Sequence, residues 1–418
     1  MIKYKNGNLN VESVDVSRIV KEVGTPFYCY SHNKIVNQYR GLADALSSSK
    51  VSIYFAVKAN SNLSIIKTLA KEGAGADVVS LGEFKRCLMA GVDPKKIVFS
   101  GVGKTTEEIA EALNKDIFQI NVESEAELIN INAIAKSLGK VAMIGLRVNP
   151  DVDAKTHEKI TTGKKENKFG IDLKDAPIFF SKASTLSNVS MKSLAVHIGS
   201  QLLELSPYKA AYKKIAEMAR YLRSTGHEIS HLDLGGGLGI PYSDENIADL
   251  YAYNQIISET VGNLDCKLSI EPGRYLVGEA GILITRVIYI KQGEQKKFVI
   301  VDGAMNDLIR PTLYEGFHAI VPVTEKNLSS QKSLCDVVGP ICESGDYFAK
   351  DRMLPEVSQN ELLAITCSGA YGAVMASNYN SRPLIPEVLV SNDVFSVIRE
   401  RQTFEKIIQD EKLAAWLQ

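Results

Sequence analysis

The sequence has no excess of charge, no long apolar run and no membrane or export signal. Its 418 residues include 48 basic and 49 acidic side chains, a formal net charge of −1. This balance gives no general attraction to nucleic acid or to an anionic membrane. No apolar stretch approaches the roughly 20 residues that span a bilayer, and the start, MIKYKNGNLN, lacks the apolar core of a signal peptide. We therefore expect neither nucleic acid nor membrane as a partner.

Cysteine is scarce and scattered. The six cysteines show no paired spacing of the kind that marks a disulfide framework or a zinc site. We therefore expect reduced thiols, no metal and a cytoplasmic location. Apolar residues make up 45% of the chain, enough for large cores, and the length predicts two domains of unequal size.

From about residue 50, short β-branched or aromatic runs alternate with amphipathic segments. The segments begin with a hydroxyl residue followed three positions later by glutamate, a pattern that caps helices. The clearest pairs are Ser80 and Glu83, Thr105 and Glu108, and Ser124 and Glu127. The eight runs are VSIYFAVK, ADVVS, KIVFS, IFQINV, AMIGLRVN, LAVHIG, HLDL and KLSIEPG. Another helix is expected from Ser206 and Pro207 to a stop at Gly226. Eight strand–helix units predict an α/β fold, a (β/α)8 barrel of the TIM type over residues 30–274.

After residue 275 the pattern changes to strands separated by turns. The strand candidates are GILITRVIYI, KKFVIVDG, LCDVVGPIC, ELLAITCSGA, PEVLVS and VFSVIRE. An amphipathic run, FEKIIQDEKLAAWL, follows them near the end. We expect residues 275–418 to form a second, mostly antiparallel β-barrel or sandwich domain. Residues 1–29, with TPFYCYS, are expected to pair with it, because a lone edge strand is unstable.

The ends of the barrel strands carry the chemistry. In such a barrel, reactive groups lie at the C-terminal ends of the strands. Those ends offer Lys58, Asp77, Ser100, Asn121, Arg147, Asn149, His197, the triplet Gly235, Gly236 and Gly237, and Glu271. One amine, one imidazole, one carboxylate and a glycine-rich turn thus meet at one mouth. Because bare glycine amides can approach a phosphate closely, this set indicates pyridoxal 5'-phosphate.

The residue types suit that cofactor. Lys58, at the end of the stretch YFAVKAN, would hold the aldehyde covalently, since a lysine inside a strand otherwise only reaches toward water. Glu271 would keep the pyridine nitrogen protonated, and His197 would stack on the ring face. A lone strand-end histidine is more often structural, and a glycine triplet alone is common in turns. Their joint placement on successive strands supports the cofactor site.

Two other motifs suggest different chemistry. HEISH, from His227 to His231, matches a zinc-protease pattern that works only on a helix, yet it follows the expected helix stop at Gly226. SGVGKTT is similar to a phosphate-binding loop, but Val98 stands where that loop needs its first glycine. We therefore expect neither a metalloprotease nor a nucleotide triphosphatase.

Longer blocks are more specific. YFAVKAN, GADVVSLGE, HIGSQ, LDLGGGLG, EPGRYLV, MNDLIRPTLY, CESGD and GAYGAVMASNYNSRP occur in this order along nearly the whole chain. Together they resemble the diaminopimelate decarboxylase family, which has the alanine-racemase-like fold of pyridoxal phosphate enzymes and catalyses the last step of bacterial lysine synthesis. TTGKKENKFG is similar to the lysine-rich segment of that family. The resemblance implies decarboxylation of meso-2,6-diaminopimelate to L-lysine and CO2.

The resemblance also implies roles for individual residues. Lys58 carries the cofactor, Glu271 meets the pyridine nitrogen and His197 covers one ring face. The remaining cofactor contacts are expected from Asp77, Ser200, Gly236, Gly237, Gly273, Arg274 and Tyr371. Substrate contacts are expected from Arg274, Arg310, Tyr314, Glu343 and Tyr371. In a homodimer with shared active sites, Cys342 and Glu343 would reach the site from the partner subunit, and Cys342 would be the acid that protonates the product carbon.

Three other functions remain open at this point. A decarboxylase for ornithine, arginine or carboxynorspermidine could share Lys58, His197 and Glu271, and the pair Arg310 and Glu343 argues against it by providing for a second amino-acid end. An alanine-racemase-like activity is a second alternative. A cofactor carrier without activity is a third alternative. The presence of both Lys58 and the proposed acid Cys342 argues against it.

Overall fold

The computed structural model describes residues 2–153 and 168–417. Within these ranges the strands are β1 (Ile2–Lys5), β2 (Asn8–Val11), β3 (Val14–Asp15), β4 (Phe27–Ser31), β5 (Val51–Ala56), β6 (Gly75–Val78), β7 (Ile97–Phe99), β8 (Gln119–Val122), β9 (Ala142–Asn149), β10 (Ile171–Asp172), β11 (Val189–Val196), β12 (His231–Asp233), β13 (Lys267–Ile270), β14 (Gly281–Gln292), β15 (Lys297–Val301), β16 (Ile320–Pro322), β17 (Lys332–Val338), β18 (Tyr347–Pro355), β19 (Leu362–Ile365), β20 (Glu387–Ser391) and β21 (Val394–Arg399).

The α-helices in the same ranges are α1 (Val16–Val23), α2 (His32–Ala45), α3 (Leu63–Lys71), α4 (Leu81–Ala90), α5 (Thr106–Asn114), α6 (Glu125–Ser137), α7 (Ala176–Ser184), α8 (Ser206–Ser224), α9 (Leu250–Thr260), α10 (Arg274–Val277), α11 (Arg310–Tyr314) and α12 (Phe404–Ile408). The chain divides into two compact units. One is residues 35–276, and the other combines residues 1–34 with 277–418. Most of the lysine-rich segment TTGKKENKFG lies outside the described residues.

Residues 35–276 form the predicted barrel. The parallel strands pair in the order β5, β6, β7, β8, β9, β11, β12 and β13, and β13 pairs back onto β5. Each of the eight predicted strand runs overlaps one of these strands, so the barrel prediction is confirmed. The short β10 adds to β9. Closure of the sheet places the eight C-terminal strand ends around one mouth.

The predicted helix caps are present, with one change. Thr105 and Glu108 form a complete capping box at the start of α5. Ser80 and Ser124 also cap α4 and α6 through their hydroxyl groups. Glu83 and Glu127, however, accept from backbone N–H groups one residue before the cap, at Val79 and Glu123. Helix α8 begins at Ser206 as predicted and ends just before Gly226.

The two misleading motifs have structural roles. In HEISH, residues 227–230 are not helical and His231 begins β12, so the motif is not a helical zinc site. The His231 ring is buried and lies 2.9 Å from Ser269 Oγ and 3.2 Å from Gln119 Oε1. In SGVGKTT, Lys104 Nζ lies 2.7 Å from Glu127 Oε1 and donates to the carbonyl of Asn121 at 2.8 Å. That lysine ties a loop to α6.

The second unit is the mostly antiparallel β structure that the sequence predicts. Its main sheet follows the path β18, β17, β15, β14, β4, β20 and β21, while β19 also pairs with β14 and β16 pairs with β19. The β4 strand, which contains FYCYS, pairs with β14 and with β20, confirming the expected docking of the opening segment. The unit buries a core that includes Phe27, Ile282, Ile284 and Val388. Only β15–β17 and β4–β20 are parallel pairs in the described part of this unit.

The terminal amphipathic run, FEKIIQDEKLAAWL, does not form one continuous helix. Helix α12 ends at Ile408, and a short 3-10 turn, Ala415–Leu417, follows. Leu413 is 70% exposed and Trp416 is 86% exposed. Without a core surface to cover, an amphipathic segment of this length lacks the packing energy that stabilises most protein helices. None of the described helices combines the length and apolar character needed to cross a membrane.

Candidate active site

Lys58 lies where β5 ends, on the single 3-10 turn Val57–Ala59. Its Nζ is 2.8 Å from Oδ2 of Asp77, on the neighbouring strand β6. The lysine side chain is 37% exposed, whereas the Asp77 side chain is fully buried. A buried carboxylate therefore holds the amine at the barrel mouth, and this explains a lysine at the end of an otherwise apolar strand.

His197 follows β11 and is kept neutral. Its Nδ1 accepts a hydrogen bond from the Gly236 N–H at 3.2 Å, which leaves the ring proton on Nε2. Burial lowers the pKa of His197 well below its ordinary value, and the nearby charges of Arg147 and Lys58 lower it further. A neutral, fixed imidazole at this place can lie against an aromatic ring.

Glu271 follows β13, and its carboxyl group has an acidic neighbour in Asp233, at the end of β12. Burial, followed by the charges of Asp233 and Asp77, raises the pKa of Glu271 well above its usual range. Burial also raises the pKa of Asp233, whose Oδ1 accepts from the Gly235 N–H at 3.1 Å. Oε1 of Glu271 and Oδ2 of Asp233 find no donor among the described residues. A hydrogen bond between the two carboxyl groups and the raised pKa of each favour one proton shared by the pair.

The glycine triplet makes a turn that no other residue fits. A Cβ on Gly235 would lie 2.0 Å from the Val196 carbonyl oxygen, and one on Gly236 would lie 2.1 Å from the Glu271 carbonyl oxygen. Gly235 and Gly237 also have positive φ angles, +71° and +100°. The backbone of the turn is therefore bare and closely packed, as a phosphate cradle requires.

Ser200 lies in the loop that packs against this turn. A Cβ on Gly237 would lie 2.4 Å from the carbonyl oxygen of Gly199, and the Leu202 N–H donates to the Gly237 carbonyl at 2.8 Å. On the far side, the Tyr208 hydroxyl donates to the Gly236 carbonyl at 3.2 Å. The two strand ends that precede Ser200 and Gly237 thus form one surface.

Gly273 and Arg274 are the last of the predicted site residues that lie in the barrel unit. A Cβ on Gly273 would lie 3.0 Å from the Cβ of Ala59 and 3.2 Å from that of Ala56, the residues on either side of the Lys58 turn. Arg274 begins α10, is buried, and donates from Nη1 to the Tyr242 hydroxyl. Its guanidinium group also lies 5.7 Å from the centre of the Tyr242 ring. Tyr242 orients this arginine.

The remaining predicted residues lie in the β unit. Arg310 and Tyr314 are the first and last residues of α11. The turn at residues 342–346 packs on this helix, because the Thr312 hydroxyl donates to the Gly345 carbonyl and the Tyr347 hydroxyl donates to the Pro311 carbonyl at 3.2 Å. The structure therefore brings Cys342 and Glu343, both exposed on the single chain, next to the helix that carries the two predicted substrate residues.

Tyr371 lies after β19 and has a φ of +55°. A residue other than glycine adopts such an angle only where the surrounding structure holds the backbone in place. Sequence reasoning missed its neighbour along the same segment, Tyr379. The Tyr379 hydroxyl is hydrogen-bonded to Glu343, and this bond raises the pKa of the tyrosine. Asp233 was missed as well, although HLDL ends directly before the glycine triplet. A carboxylate at the same strand end as the other candidates was the available signal.

The residues of the barrel mouth fit pyridoxal 5'-phosphate. The glycine turn leaves room only for bare backbone, and Glu271 Oε1 is a buried acceptor without a donor among the residues described. The protonated pyridine nitrogen of the cofactor would supply that donor. Its positive charge would also offset the negative charge of the carboxyl groups of Glu271, Asp233 and Asp77. A barrel with an amine, a buried carboxyl group and a bare glycine turn at the ends of its strands is typical of a pyridoxal-phosphate enzyme of the barrel type.

Comparison with known proteins narrows this class. The family described as "Pyridoxal-dependent decarboxylase, pyridoxal binding domain" matches residues 14–278. A diaminopimelate decarboxylase of Zymomonas mobilis is 46% identical over 418 residues, covering 99% of each chain. The crystal structure of diaminopimelate decarboxylase from Helicobacter pylori complexed with L-lysine is 45% identical, with a TM-score of 0.91 over 94% of this chain and 98% of that one. The M. jannaschii diaminopimelate decarboxylase in complex with L-lysine is 38% identical, with a TM-score of 0.95 over 100% and 99%. The chain belongs to the diaminopimelate decarboxylase family.

Proposed function

We propose that this chain decarboxylates meso-2,6-diaminopimelate to L-lysine and CO2, the last step of bacterial lysine biosynthesis, with pyridoxal 5'-phosphate bound to Lys58. The observation that carries the proposal is the Lys58–Asp77 pair at a barrel mouth that also holds the glycine turn and the buried Glu271. The amine, the phosphate cradle and the acidic group each match one part of the cofactor.

The barrel residues divide the work of holding the cofactor. Lys58 holds its aldehyde carbon, and Asp77 keeps the amine directed into the mouth. The phosphate is bound by Ser200, Gly236, Gly237, the amides of Gly273 and Arg274, and Tyr371. When bound, the cofactor accepts the electron pair that remains as the bond to the departing carboxylate breaks.

Glu271 and His197 control the electronic state of the site. Glu271 is ready to ionise once a ring N–H reaches Oε1, since that contact offsets the burial and the Asp233 charge that hold its proton in place. The neutral His197 covers one face of the ring, because its Nδ1 is fixed by Gly236. The two residues therefore keep the ring nitrogen protonated and exclude water from one face.

The substrate has a second amino-acid end that does not react. Arg274, Arg310, Tyr314 and Tyr371 bind carboxylate groups of the substrate, and Glu343 binds the distal ammonium group. Cys342 then delivers a proton to the carbon that has lost CO2. Selectivity against ornithine follows, because an arginine left unpaired in a closed site costs on the order of a charged hydrogen bond, about 1.5–3 kcal/mol.

We also propose a homodimer in which Cys342 and Glu343 reach the active site of the partner subunit. Both side chains are exposed on the single chain, whereas groups that act on a bound cofactor must be shielded from water. A partner subunit would provide that shielding, and this supports the assembly. A cytoplasmic location is proposed because all six cysteines are free thiols, as a reducing compartment favours.

The activity is tested by incubating the purified protein with pyridoxal 5'-phosphate and meso-diaminopimelate and measuring lysine and CO2. Parallel reactions contain ornithine, arginine or carboxynorspermidine. We expect rapid release of CO2 from diaminopimelate alone. Equal turnover of ornithine would favour the alternative decarboxylases, and no CO2 from any of them would remove the proposal.

The site of attachment is tested by reduction. Borohydride should fix the cofactor on Lys58, because its amine is held at the mouth by Asp77. Peptide mapping identifies the modified lysine. Lys104 is the internal control, since its amine is buried and paired with Glu127. Label on Lys104 or on Lys67 in place of Lys58 would show that the central assignment is wrong.

A further inference from the structure

We infer that His318 is a positioning residue that orients the guanidinium group of Arg310 toward the distal carboxylate of the substrate. The inference rests on the proposed function, because it assumes that Arg310 binds that carboxylate. No sequence motif singled out His318. The structure places it eight residues after Arg310 and two residues before the start of β16, and its side chain is buried in the β unit like that of Arg310.

The hydrogen bonds of the His318 ring fix its protonation. Its Nδ1 lies 2.8 Å from the carbonyl oxygen of Thr366, which can only accept, so Nδ1 carries the proton. Its Nε2 lies 2.7 Å from Nη1 of Arg310, which can only donate, so Nε2 is the acceptor. Both contacts require the neutral ring with one proton on Nδ1. A second proton on Nε2 would point at a guanidinium cation.

The ring itself is rigidly held. The His318 carbonyl accepts from Nη1 of Arg352 at 2.9 Å, and the Thr366 N–H donates to the Ala319 carbonyl at 2.9 Å. Strand β16 begins with Ile320, which pairs with Ile365 on β19, so the backbone segments that carry His318 and Thr366 are joined in register. His318 is 0% exposed and Arg310 is 7% exposed, and close packing of the interior restricts the movement of both side chains.

A neutral acceptor has a particular advantage at this place. It fixes one guanidinium nitrogen without cancelling the positive charge, so the guanidinium group keeps its attraction for a carboxylate. Fixing the long arginine side chain before the substrate arrives also removes part of the entropy that binding would otherwise lose. Loss of the His318 acceptor should therefore weaken substrate binding more than it slows the chemical step.

Two substitutions separate the two ring nitrogens. In His318→Asn, the shorter amide can replace Nδ1 toward Thr366, but no group reaches Arg310. In His318→Gln, the longer side chain brings an amide oxygen to the position of Nε2, where it can accept from Arg310. His227→Asn is the matched control, because that ring packs on Phe180 in the other unit, at 5.6 Å between ring centres.

Steady-state kinetics with meso-diaminopimelate, measured as CO2 release by the holoenzyme, gives the main readout. For His318→Asn we expect KM to rise roughly 10-fold to 100-fold, the equivalent of one charged hydrogen bond, with kcat within about 3-fold of the wild type. His318→Gln should recover most of the lost affinity, and His227→Asn should match the wild type. The affinity for pyridoxal 5'-phosphate, followed by absorbance, should stay unchanged in all three variants, because the cofactor aldehyde and ring contacts lie in the barrel.

The outcomes separate this inference from the proposed function. A wild-type protein that releases no CO2 from diaminopimelate overturns both. If the wild type is active and His318→Asn keeps its KM, or if the Asn and Gln variants are equally impaired, the positioning role is overturned and the proposed function stands. Histidine nitrogen NMR of the wild type, assigned with His318→Gln, decides the matter if His318→Asn does not fold. A ring protonated on both nitrogens at pH 7 contradicts the inference, and a proton on Nδ1 alone supports it.

Discussion

Burial controls the acid–base behaviour of Glu271 and therefore gives a prediction for its amide variant. In Glu271→Gln the side chain keeps its shape but cannot carry the negative charge that we propose holds a proton on the cofactor ring nitrogen. We expect turnover of diaminopimelate to fall by roughly 100-fold or more, on the order of a lost acid–base group. Cofactor occupancy, measured by absorbance, should change far less, because Lys58 and the phosphate contacts remain. A fully active Glu271→Gln enzyme would contradict the assigned role.

His231 predicts how the stability of the apoprotein depends on pH. Burial, with a smaller effect of the Lys267 charge, holds the pKa of His231 down at about 4, against 6.5 in an exposed histidine. As the pH falls below about 6.5, this histidine becomes protonated in the unfolded chain. In the folded chain it stays neutral until about pH 4. Folding stability should therefore fall across this window, by up to about 1.4 kcal/mol per pH unit.

Denaturant unfolding of the wild type and of His231→Gln between pH 4 and pH 7 measures this effect. The glutamine has no titrating group, so the difference in unfolding free energy between the two proteins should shrink as the pH falls. A difference that stays constant with pH would show that the ring does not resist protonation. The contacts with Ser269 and Gln119 give the physical reason for the expected result, since they satisfy the neutral ring.

The loop between β12 and α9 begins with the glycine turn that we propose binds the cofactor phosphate, and a single methyl group tests this role. In Gly236→Ala the new Cβ would lie 2.1 Å from the carbonyl oxygen of Glu271, so the turn and the strand end beside it must separate. We expect the affinity for pyridoxal 5'-phosphate to fall at least about 10-fold, which corresponds to about 1.4 kcal/mol. Gly103→Ala, in the SGVGKTT loop, is the matched control, because a Cβ added there would meet nothing within 4 Å. Absorbance titration of both apoproteins gives the affinities, and equal values would contradict the phosphate role.

The elements also show what the sequence could and could not predict. The barrel strands were predictable because they are short apolar runs and several of them are followed by a helix cap such as Ser80 or Thr105, and both signals are local. Strand β18 was not recognised. It pairs with β17 through register shifts near Val337, and its outward and inward residues do not alternate strictly. Without strict alternation of buried and exposed residues, the sequence of β18 lacks the two-residue periodicity by which a strand is recognised.

The site shows the same division between local and long-range information. The positions of Lys58, His197, Glu271 and the glycine triplet at the barrel mouth were predictable, because each lies within a few residues of the C-terminal end of a barrel strand. His318 was not, because its partners are the side chain of Arg310 and the carbonyl of Thr366, 48 residues further along the chain. A pairing of this kind depends on how β16 and β19 meet, and neither residue has a sequence signature that names the other.

The division of the chain into two compact units bears on the assembly. Lys58 belongs to the unit of residues 35–276, whereas Cys342 belongs to the unit of residues 1–34 and 277–418. If the proposed homodimer builds each active site from Lys58 of one subunit and Cys342 of the other, Lys58→Ala and Cys342→Ala should each be nearly inactive. Loss of a positioned acid alone typically costs roughly 100-fold to 10,000-fold in rate.

Mixing the two inactive proteins should restore activity. Random exchange of equal amounts makes about half of the dimers mixed, and one of the two sites in each mixed dimer carries neither substitution, so about a quarter of all sites become wild type. The control mixture is Lys58→Ala with Glu271→Gln. Both of these residues belong to the barrel unit, so every site in a mixed dimer keeps one substitution and no recovery is expected. Activity is measured after labelled subunits show that exchange is complete. Recovery in the first mixture alone supports the shared site, whereas two mixtures as inactive as their parents would place Lys58 and Cys342 in a site within one chain.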